Sequence, residues 1–381
     1  MKKIKAGIIG MGFIGPVHAE ALIRLGYVDV VAVADNDYSV AKAKAEQLCI
    51  KKVYENYKDL IADDEVEIIH VCSPNDLHFP MTKEIIEAGK HVVCDKPLAM
   101  TSDEARELLR LAKEKKVVAA VNFNMRYYAM IHQVKAMIEN GDLGKLYAIN
   151  GSYQQDWLHK ETDYNWRVEV EKSGKSRAVA DIGSHWMNTI EFVTGAKIIK
   201  VCADMATFHK TRKKPLKAIE TFSGMLLKPE DYENVPIETE DYASVLLRFD
   251  TGAHGSFTVN QVAAGRKNRK YFEIYGSKAS VAFSTEEPHE LWIGKRDGNN
   301  EIMGKDPALA YPFAREIMSY PGGHVEGFAD TKKQLYDKIY RSILENRTEK
   351  YPDFEEGLRD IIICEAILES AKREKWIDVV E

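Results

Sequence analysis

A doubly wound parallel α/β domain followed by an α+β domain with a large, mostly antiparallel open sheet is the fold class this sequence predicts. Three observations carry it. A strand-like run, a glycine-rich turn, a helical stretch, a second strand and an acid follow one another between Ile4 and Asp35. Short apolar runs then alternate with amphipathic stretches to about residue 123. Beyond that point strand-like runs succeed one another with few helices between them. A chain of 381 residues exceeds the size at which one core usually splits, so two domains are expected, 1–123 and 124–381.

Taken in order, the first element poses a choice. MKKIK followed by apolar residues has the outline of an export signal, but Gly7, Gly10, Gly12 and Gly15 break any continuous apolar helix. Ile4 to Ile9 reads better as a buried strand. Gly10-Met11-Gly12-Phe13-Ile14-Gly15 follows at once, and His18 to Leu25 has helical character, ending near Gly26. VDVVAVAD is the second strand, closing on Asp35, 20 residues after Gly15. This is the order of a dinucleotide-binding Rossmann unit. Gly10 permits the tight turn, Gly12 lets the backbone approach a pyrophosphate, and Gly15 lets helix and strand pack closely. Free N–H groups at the helix start face the phosphate. Asp35 accepts the ribose hydroxyls of NAD and repels a 2′-phosphate, which favours NAD over NADP.

The alternation continues. EIIHVCSP is a strand and FPMTKEIIEAGK a helix with Gly89 at its C-terminal end. HVVCDKP is a strand, Thr101 to Glu104 is a capping box for ARELLRLAKEKK, and VVAAVNFN is one strand more. Ligands of such a sheet bind at the carboxyl ends of its strands. Two of those ends are chemically loaded, with Ser73-Pro74-Asn75 and His78 after one strand and Asp95-Lys96-Pro97 after another. Pro97 biases Lys96 toward an extended conformation that aims its ammonium at the binding edge. The alternative is a surface lysine at a strand end. Asn124 closes the last strand, and with Phe13, Ile14 and Asp95 it belongs to the expected cofactor set.

After a helix ending at Gly141, the segments 145–157, 197–210, 241–263 and 270–284 are β-rich, with Asp250-Thr251-Gly252 as a hairpin turn. One sheet face is expected to pack on helices, and a broad exposed second face needs a partner subunit. Residues 209–237 and 296–325 read as long loops. Within AVADIGSHWMNTIEFVTG, Asp181 and His185 stand four apart and share one helix face, where a carboxylate orients an acid/base imidazole. Asp181 as a mere helix N-cap is the competing account.

Composition limits the partners. A net charge of −6 without a basic stripe gives nucleic acid no footprint, and no apolar run is long enough to cross a bilayer. Cys49, Cys72, Cys94, Cys202 and Cys364 are odd in number and never in CxxC spacing. Reduced thiols in a cytoplasmic enzyme are expected, without a disulfide framework. None of the eleven histidines forms a familiar ligand pattern, so no metal is expected. A hydride-transfer enzyme needs a group for the alcohol proton, and either Lys96 or His185 is placed to take it.

The ordered set of glycine turn, CSPNDLH, DKP, DIGSHWMN and AILESAKREKW resembles the Gfo/Idh/MocA oxidoreductase family over nearly the whole chain. The resemblance implies an NAD-binding Rossmann domain and a C-terminal open sheet through which dimers or tetramers form. It also implies a lysine near nicotinamide and substrate, matched by Lys96, and an orienting acid with an acid/base histidine, matched by Asp181 and His185. Asp95 departs from the family's usual Glu, shortening the carboxylate by one methylene. YQQDWLHKETDYNWRV resembles sugar dehydrogenases of the family. Gln155 and Asp156 suit sugar hydroxyls, and Trp157 suits a pyranose face. Trp166 and Arg167 line the nicotinamide or substrate region, or Trp166 is core. Tyr127 and His324 complete the substrate set, with a turn role as the rival for His324. The implied activity is NAD-dependent oxidation of a secondary hydroxyl on a cyclic sugar, anhydrosugar or inositol. A glycosidase or lyase with transient oxidation, and a non-catalytic NAD or sugar sensor, are the alternatives.

Overall fold

The computed structural model describes residues 3–216, 228–345 and 350–380. They form two compact units, Met1–Asn124 with Phe328–Ile361, and Met125–Gly327 with Ile362–Glu381.

The first unit alternates strand and helix: β1 (Ile4–Ile9), α1 (Ile14–Ile23), β2 (Val28–Ala34), α2 (Tyr38–Gln47), β3 (Lys52–Tyr54), α3 (Tyr57–Ala62), β4 (Ile68–Val71), α4 (His78–Glu87), β5 (His91–Cys94), α5 (Ser102–Lys115) and β6 (Ala119–Val121). All strand pairs are parallel, in the order β3-β2-β1-β4-β5-β6. That order places a topological switch beside β1, where such sheets bind dinucleotides. The strands are mostly apolar because helices cover both faces. Ile69, Val71, Val92 and Cys94 pack with Ile85, Leu108 and Phe354 in one core. Thr101 caps α5 in a full capping box with Glu104, as its spacing predicts. The first helix begins at Ile14 rather than His18, because the glycine turn itself runs into the helix.

In the second unit, the elements before the helical return are α6 (Ala129–Glu139), β7 (Leu146–Gln154), α7 (Val170–Ser173), α8 (Ser184–Thr194), β8 (Ile198–Ala206), β9 (Thr211–Pro215), β10 (Tyr232–Pro236), β11 (Tyr242–Phe249), β12 (His254–Asn260), β13 (Arg269–Gly276), β14 (Ser280–Ser284), β15 (Glu290–Gly294), β16 (Glu301–Gly304) and α9 (Pro312–Arg315). Helix α10 (Phe328–Glu345) lies in the first unit, α11 (Phe354–Arg373) carries the boundary, and β17 (Ile377–Asp378) closes the chain. Nine strands make one sheet in the order β16-β15-β14-β13-β7-β12-β11-β8-β17. Every pair is antiparallel except β12 with β7. Alternate residues are buried, such as Ala243, Val245, Leu247 and Phe249 on β11, so one face carries the core.

The expected long loops hold regular structure instead. In 209–237, β9 and β10 pair antiparallel, while residues 217–227 lie outside the described residues. Their sequences TRKKP and YENVP carry no apolar alternation. What anchors β9 is buried Arg212, which donates to the Leu158, Lys160 and Asp163 carbonyls and to Asp241. In 296–325, β16 extends the sheet edge and α9 packs near α6, with the Tyr311 N–H donating to Gln133.

Candidate functional site

In the first unit, the residues expected to hold a cofactor stand at the carboxyl ends of the strands. Gly10 has φ +92, and a Cβ there would meet the Cys72 carbonyl at 2.6 Å. A Cβ on Gly15 would meet the Gly10 carbonyl at 2.0 Å, so this turn excludes side chains at both ends. Gly12 faces open space, with nothing within 4 Å of its built Cβ position. Helix α1 has no acid in its first turn and no side-chain cap, which leaves its positive end to an external anion. Phe13 is 53% exposed beside it. Asp35 accepts the Met11 N–H on Oδ2 at 2.7 Å and the Asp37 N–H on Oδ1 at 3.0 Å. Each oxygen keeps a lone pair for a ribose hydroxyl. Glycine cradle, helix end and aimed carboxylate fit an NAD molecule.

The loops after β4 and β5 are tied by one side chain. His78, 1% exposed, places Nδ1 2.6 Å from the Pro97 carbonyl and Nε2 3.0 Å from the Ser73 carbonyl. Carbonyls only accept, so both ring nitrogens donate and the ring is an imidazolium. Burial opposes that charge, but the Cys94 sulfur, the Pro97 carbonyl and the Asp95 carboxylate outweigh it and push the pKa up to about 9. His78 therefore braces the loops carrying Ser73, Pro74 and Asn75 on one side and cis Lys96–Pro97 on the other. Asp95 turns back onto its own loop. Its Oδ1 accepts the Lys96 N–H at 2.7 Å and the Asn122 side chain at 3.3 Å.

Beneath Asp95 lies a buried polar network that motif reasoning did not include. Asn122 accepts the Tyr336 hydroxyl on Oδ1, and its Nδ2 approaches His18 Nε2 at 3.2 Å. Lys332 Nζ approaches the same His18 nitrogen at 3.3 Å. His18 Nε2 thus accepts, and Nδ1–H donates to His70 Nδ1 at 3.0 Å. His70 Nε2–H then meets the Tyr340 hydroxyl at 2.9 Å. Burial and the Lys332 charge keep His18 neutral, and burial likewise pushes His70 down to about 3 and Lys332 down to about 8. Asn124 is also structural in part, donating to Thr331 Oγ1 at 2.7 Å.

In the second unit, the ends of β7, β12 and β13 gather around the start of α8. Residues Val179–Gly183 form a π-helical turn that runs into α8. Asp181 lies inside this turn and is not an N-cap. Such turns insert one residue and recur at functional sites. Glu240 fixes its start, accepting Ser176 Oγ–H, Arg177 N–H and Val179 N–H at 2.8 to 2.9 Å. Trp186 seats α8 on the sheet, stacked 4.6 Å from Phe257 and donating to the Tyr271 carbonyl at 2.9 Å. His185 lies 6.3 Å, centroid to centroid, from the Tyr153 ring. Asp181 receives Gln261 Nε2–H on Oδ2 at 2.8 Å and Arg167 Nε at 3.7 Å on Oδ1. Arg167 also lies 4.5 Å over the Trp166 ring. Tyr153 and Gln155 both donate to Asn268 Oδ1 at 2.8 Å. Gln155 Oε1, buried, has no protein partner among the described residues. A bare buried acceptor costs about 1–3 kcal/mol.

Other members of the expected substrate set are placed differently. The Asp156 carboxylate is engaged by Lys267 Nζ at 2.6 Å and the Gly265 N–H at 3.1 Å. Trp157 is half-buried. Tyr127 is 4% exposed and packs 5.2 Å from the His132 ring. His324 is exposed on the loop before α10, its Nδ1 facing the Gly322 carbonyl at 3.2 Å. Gln261 and Asn268 were missed. Gln261 carries a readable signal, a polar residue continuing the in-facing register Phe257, Val259.

The sequence matches the oxidoreductase family with an NAD-binding Rossmann fold over residues 4–123, and the GFO/IDH/MocA C-terminal domain over residues 131–282. The chain belongs to the Gfo/Idh/MocA family and is an NAD-dependent oxidoreductase. It is similar to levoglucosan dehydrogenase of Pseudarthrobacter phenanthrenivorans, 27% identical over 391 aligned positions that cover 100% of this chain and 99% of the relative. It is 26% identical to myo-inositol 2-dehydrogenase of Thermotoga maritima over 73% of this chain and 74% of that one. A solved levoglucosan dehydrogenase in complex with NADH and L-sorbose superposes with a TM-score of 0.90 at 26% identity, covering 100% of both chains. Among the described residues no helix is long and apolar enough to cross a membrane.

Proposed function

We propose that this chain transfers a hydride between NAD and a secondary hydroxyl or ketone of a cyclic sugar, anhydrosugar or inositol. The observation that carries the proposal is full-length likeness to a levoglucosan dehydrogenase, with Lys96, Asp181 and His185 all in place. Bound NAD would supply the hydride acceptor for the carbinol C–H in the oxidising direction, and His185 takes the hydroxyl proton. Lys96 polarises the reacting oxygen, and Asp181 orients the His185 ring. Gln155 Oε1 accepts a sugar hydroxyl, which gives the bare acceptor its partner. Trp157 offers a ring face to the sugar, Tyr127 stays packed on His132 and supports that region from the core, and Trp166 and Arg167 would border a bound nicotinamide. Asp156 serves first as an anchor for Lys267, and its role toward substrate is indirect. A homodimer or homotetramer through the half-exposed face of the nine-stranded sheet, in the cytoplasm, completes the proposal. On that face Tyr271, Glu273, Trp292 and Ile302 line a groove of about 360 Å³.

NADH absorbance, followed over levoglucosan, myo-inositol, D-glucose and other cyclic polyols with NAD or NADP, identifies the substrate. Lys96→Ala and His185→Ala are expected to lower kcat by about 10²–10⁴-fold while NADH binding, read by fluorescence, persists. Folded variants turning over at the parent rate would overturn the assignment.

A further inference from the structure

We infer that Gln261 is a positioning residue for the acid–histidine pair, the last link of a buried chain that fixes the Asp181 carboxylate. The inference rests on the roles proposed for Asp181 and His185. Its basis is the connectivity behind Asp181. Gln261 donates to Asp181 Oδ2 at 2.8 Å, and its own Oε1 accepts Arg177 Nη1 at 3.3 Å. An amide donates only through nitrogen, so the Arg177 contact fixes which end of Gln261 faces Asp181. Arg177 is itself held by Asp241 through Nη2 and by Thr239 Oγ1 through Nε at 3.1 Å. Arg212 donates to the same Asp241 Oδ1 at 2.9 Å. Burial favours a neutral Asp241, but Arg177 and Arg212 overcome it and hold its carboxyl below the usual range. Two arginines sharing one carboxylate leave Arg177 with polarising capacity directed at Gln261.

The backbone of Gln261 is equally fixed, its N–H bonded to the Asp241 carbonyl at 3.0 Å and its carbonyl accepting the Leu158 N–H at 3.1 Å. Gln261 is 2% exposed, so water does not compete for its amide. Asp181 therefore lies between a neutral, directional donor on Oδ2 and the Arg167 guanidinium on Oδ1. A neutral donor orients a carboxylate without adding charge to cancel it, which preserves the anion's field at a neighbouring imidazole.

The test reads His185 directly, by NMR titration of ring-labelled histidine in the full-length protein, with His185→Ala identifying the signal. Gln261→Met removes the donated bond at nearly constant volume, and Asp181 is released. The His185 pKa is expected to fall by about half a unit or more. Gln261→Glu places a second carboxylate beside Asp181 and is expected to shift the same titration upward. A packing defect would not move the two variants in opposite directions. If Gln261→Met fails to fold, Gln261→Asn, whose amide stops one methylene short of Asp181, carries the test through the same downward shift. Titrations unchanged in the donor-removing variant and in Gln261→Glu, or displaced the same way in these two, overturn the inference. Asp181→Asn is titrated alongside. If it shifts His185 while the Gln261 variants do not, only the inference about Gln261 falls. If Asp181→Asn leaves His185 unchanged, the proposed acid–histidine pair itself is wrong.

Discussion

At Asp35 one carboxylate has two tasks, and separating them gives a residue-level prediction. It ties the glycine turn through Met11 and its own loop through Asp37, and in the proposed NAD site its charge would repel a 2′-phosphate. Asp35→Ser removes the charge and two charge-assisted bonds of about 1.5–3 kcal/mol each. NAD affinity is expected to weaken by 10-fold or more, and the NAD over NADP preference in kcat/KM to fall by about 100-fold. Equal loss for both cofactors would show that the charge plays no part in selection. Residues of this kind were legible because they sit in a motif whose spacing has a physical reason. Gly10, Gly15, Asp35, Lys96, Asp181 and His185 stood out as candidates from sequence. Asn268 and Lys332 did not, because their partners lie more than 100 positions away along the chain, and Gln261 left only the faint mark of a polar residue continuing an in-facing register, its partner Asp181 lying 80 positions away. Asp156 illustrates the converse. Sequence offers a carboxylate for sugar hydroxyls, and folding supplies Lys267 as its partner.

Among elements, α8 matters most, since it continues the turn that holds Asp181 and bears His185. Its seat is a hole in the sheet at Gly151, where an added Cβ would stand 2.3 Å from the Tyr271 carbonyl and 2.4 Å from Trp186 Nε1. Neither neighbour can yield easily, one being backbone and the other a buried indole donating to that carbonyl. Gly151→Ala is expected to lower stability by about 1–3 kcal/mol through overpacking. Turnover should fall further than NADH binding, because the strain lies under α8. Turnover and stability both unchanged would show that α8 rests elsewhere. Most strands of the first unit were readable because parallel strands are largely apolar, and α5 by its capping box, whereas α2, β3 and α3 between Tyr38 and Ala62 offered no comparable signal and went unassigned. The π-helical turn was not readable either, since one inserted residue leaves no mark on apolar periodicity. Strands β9 and β10 were hidden for a related reason, being held by a buried arginine instead of an apolar face.

For the molecule as a whole, chain order and spatial order part company at residue 328. Composition marks a change near residue 123, but nothing in it signals that Phe328–Ile361 returns to the first unit. That return brings Lys332, Tyr336 and Tyr340 into the buried network and so ties overall stability to pH. Two groups act in opposite senses. His78 has its pKa raised from 6.5 to about 9 in the folded chain. Its stabilising contribution is complete below pH 6.5 and is lost as pH rises through 9, about 3 kcal/mol in all. Lys332 has its pKa lowered from 10.5 to about 8, so the unfolded chain binds more protons between those values and stability recovers with rising pH there. Up to about pH 7 the slope of His78 is offset by His18 and His70, whose depressed folded pKa values make stability rise as their unfolded forms lose protons. The parent protein should therefore weaken only between about pH 7 and 8 and level off above that, where the slopes of His78 and Lys332 oppose each other. His78→Gln removes the first term and leaves the second. The difference in urea midpoint between parent and variant should therefore be largest near pH 6 and shrink steadily toward pH 9. A difference that stays constant across this range would mean that the His78 ring is not charged between its two carbonyls, and that the loops bearing Ser73 and Pro97 are joined by a neutral bridge.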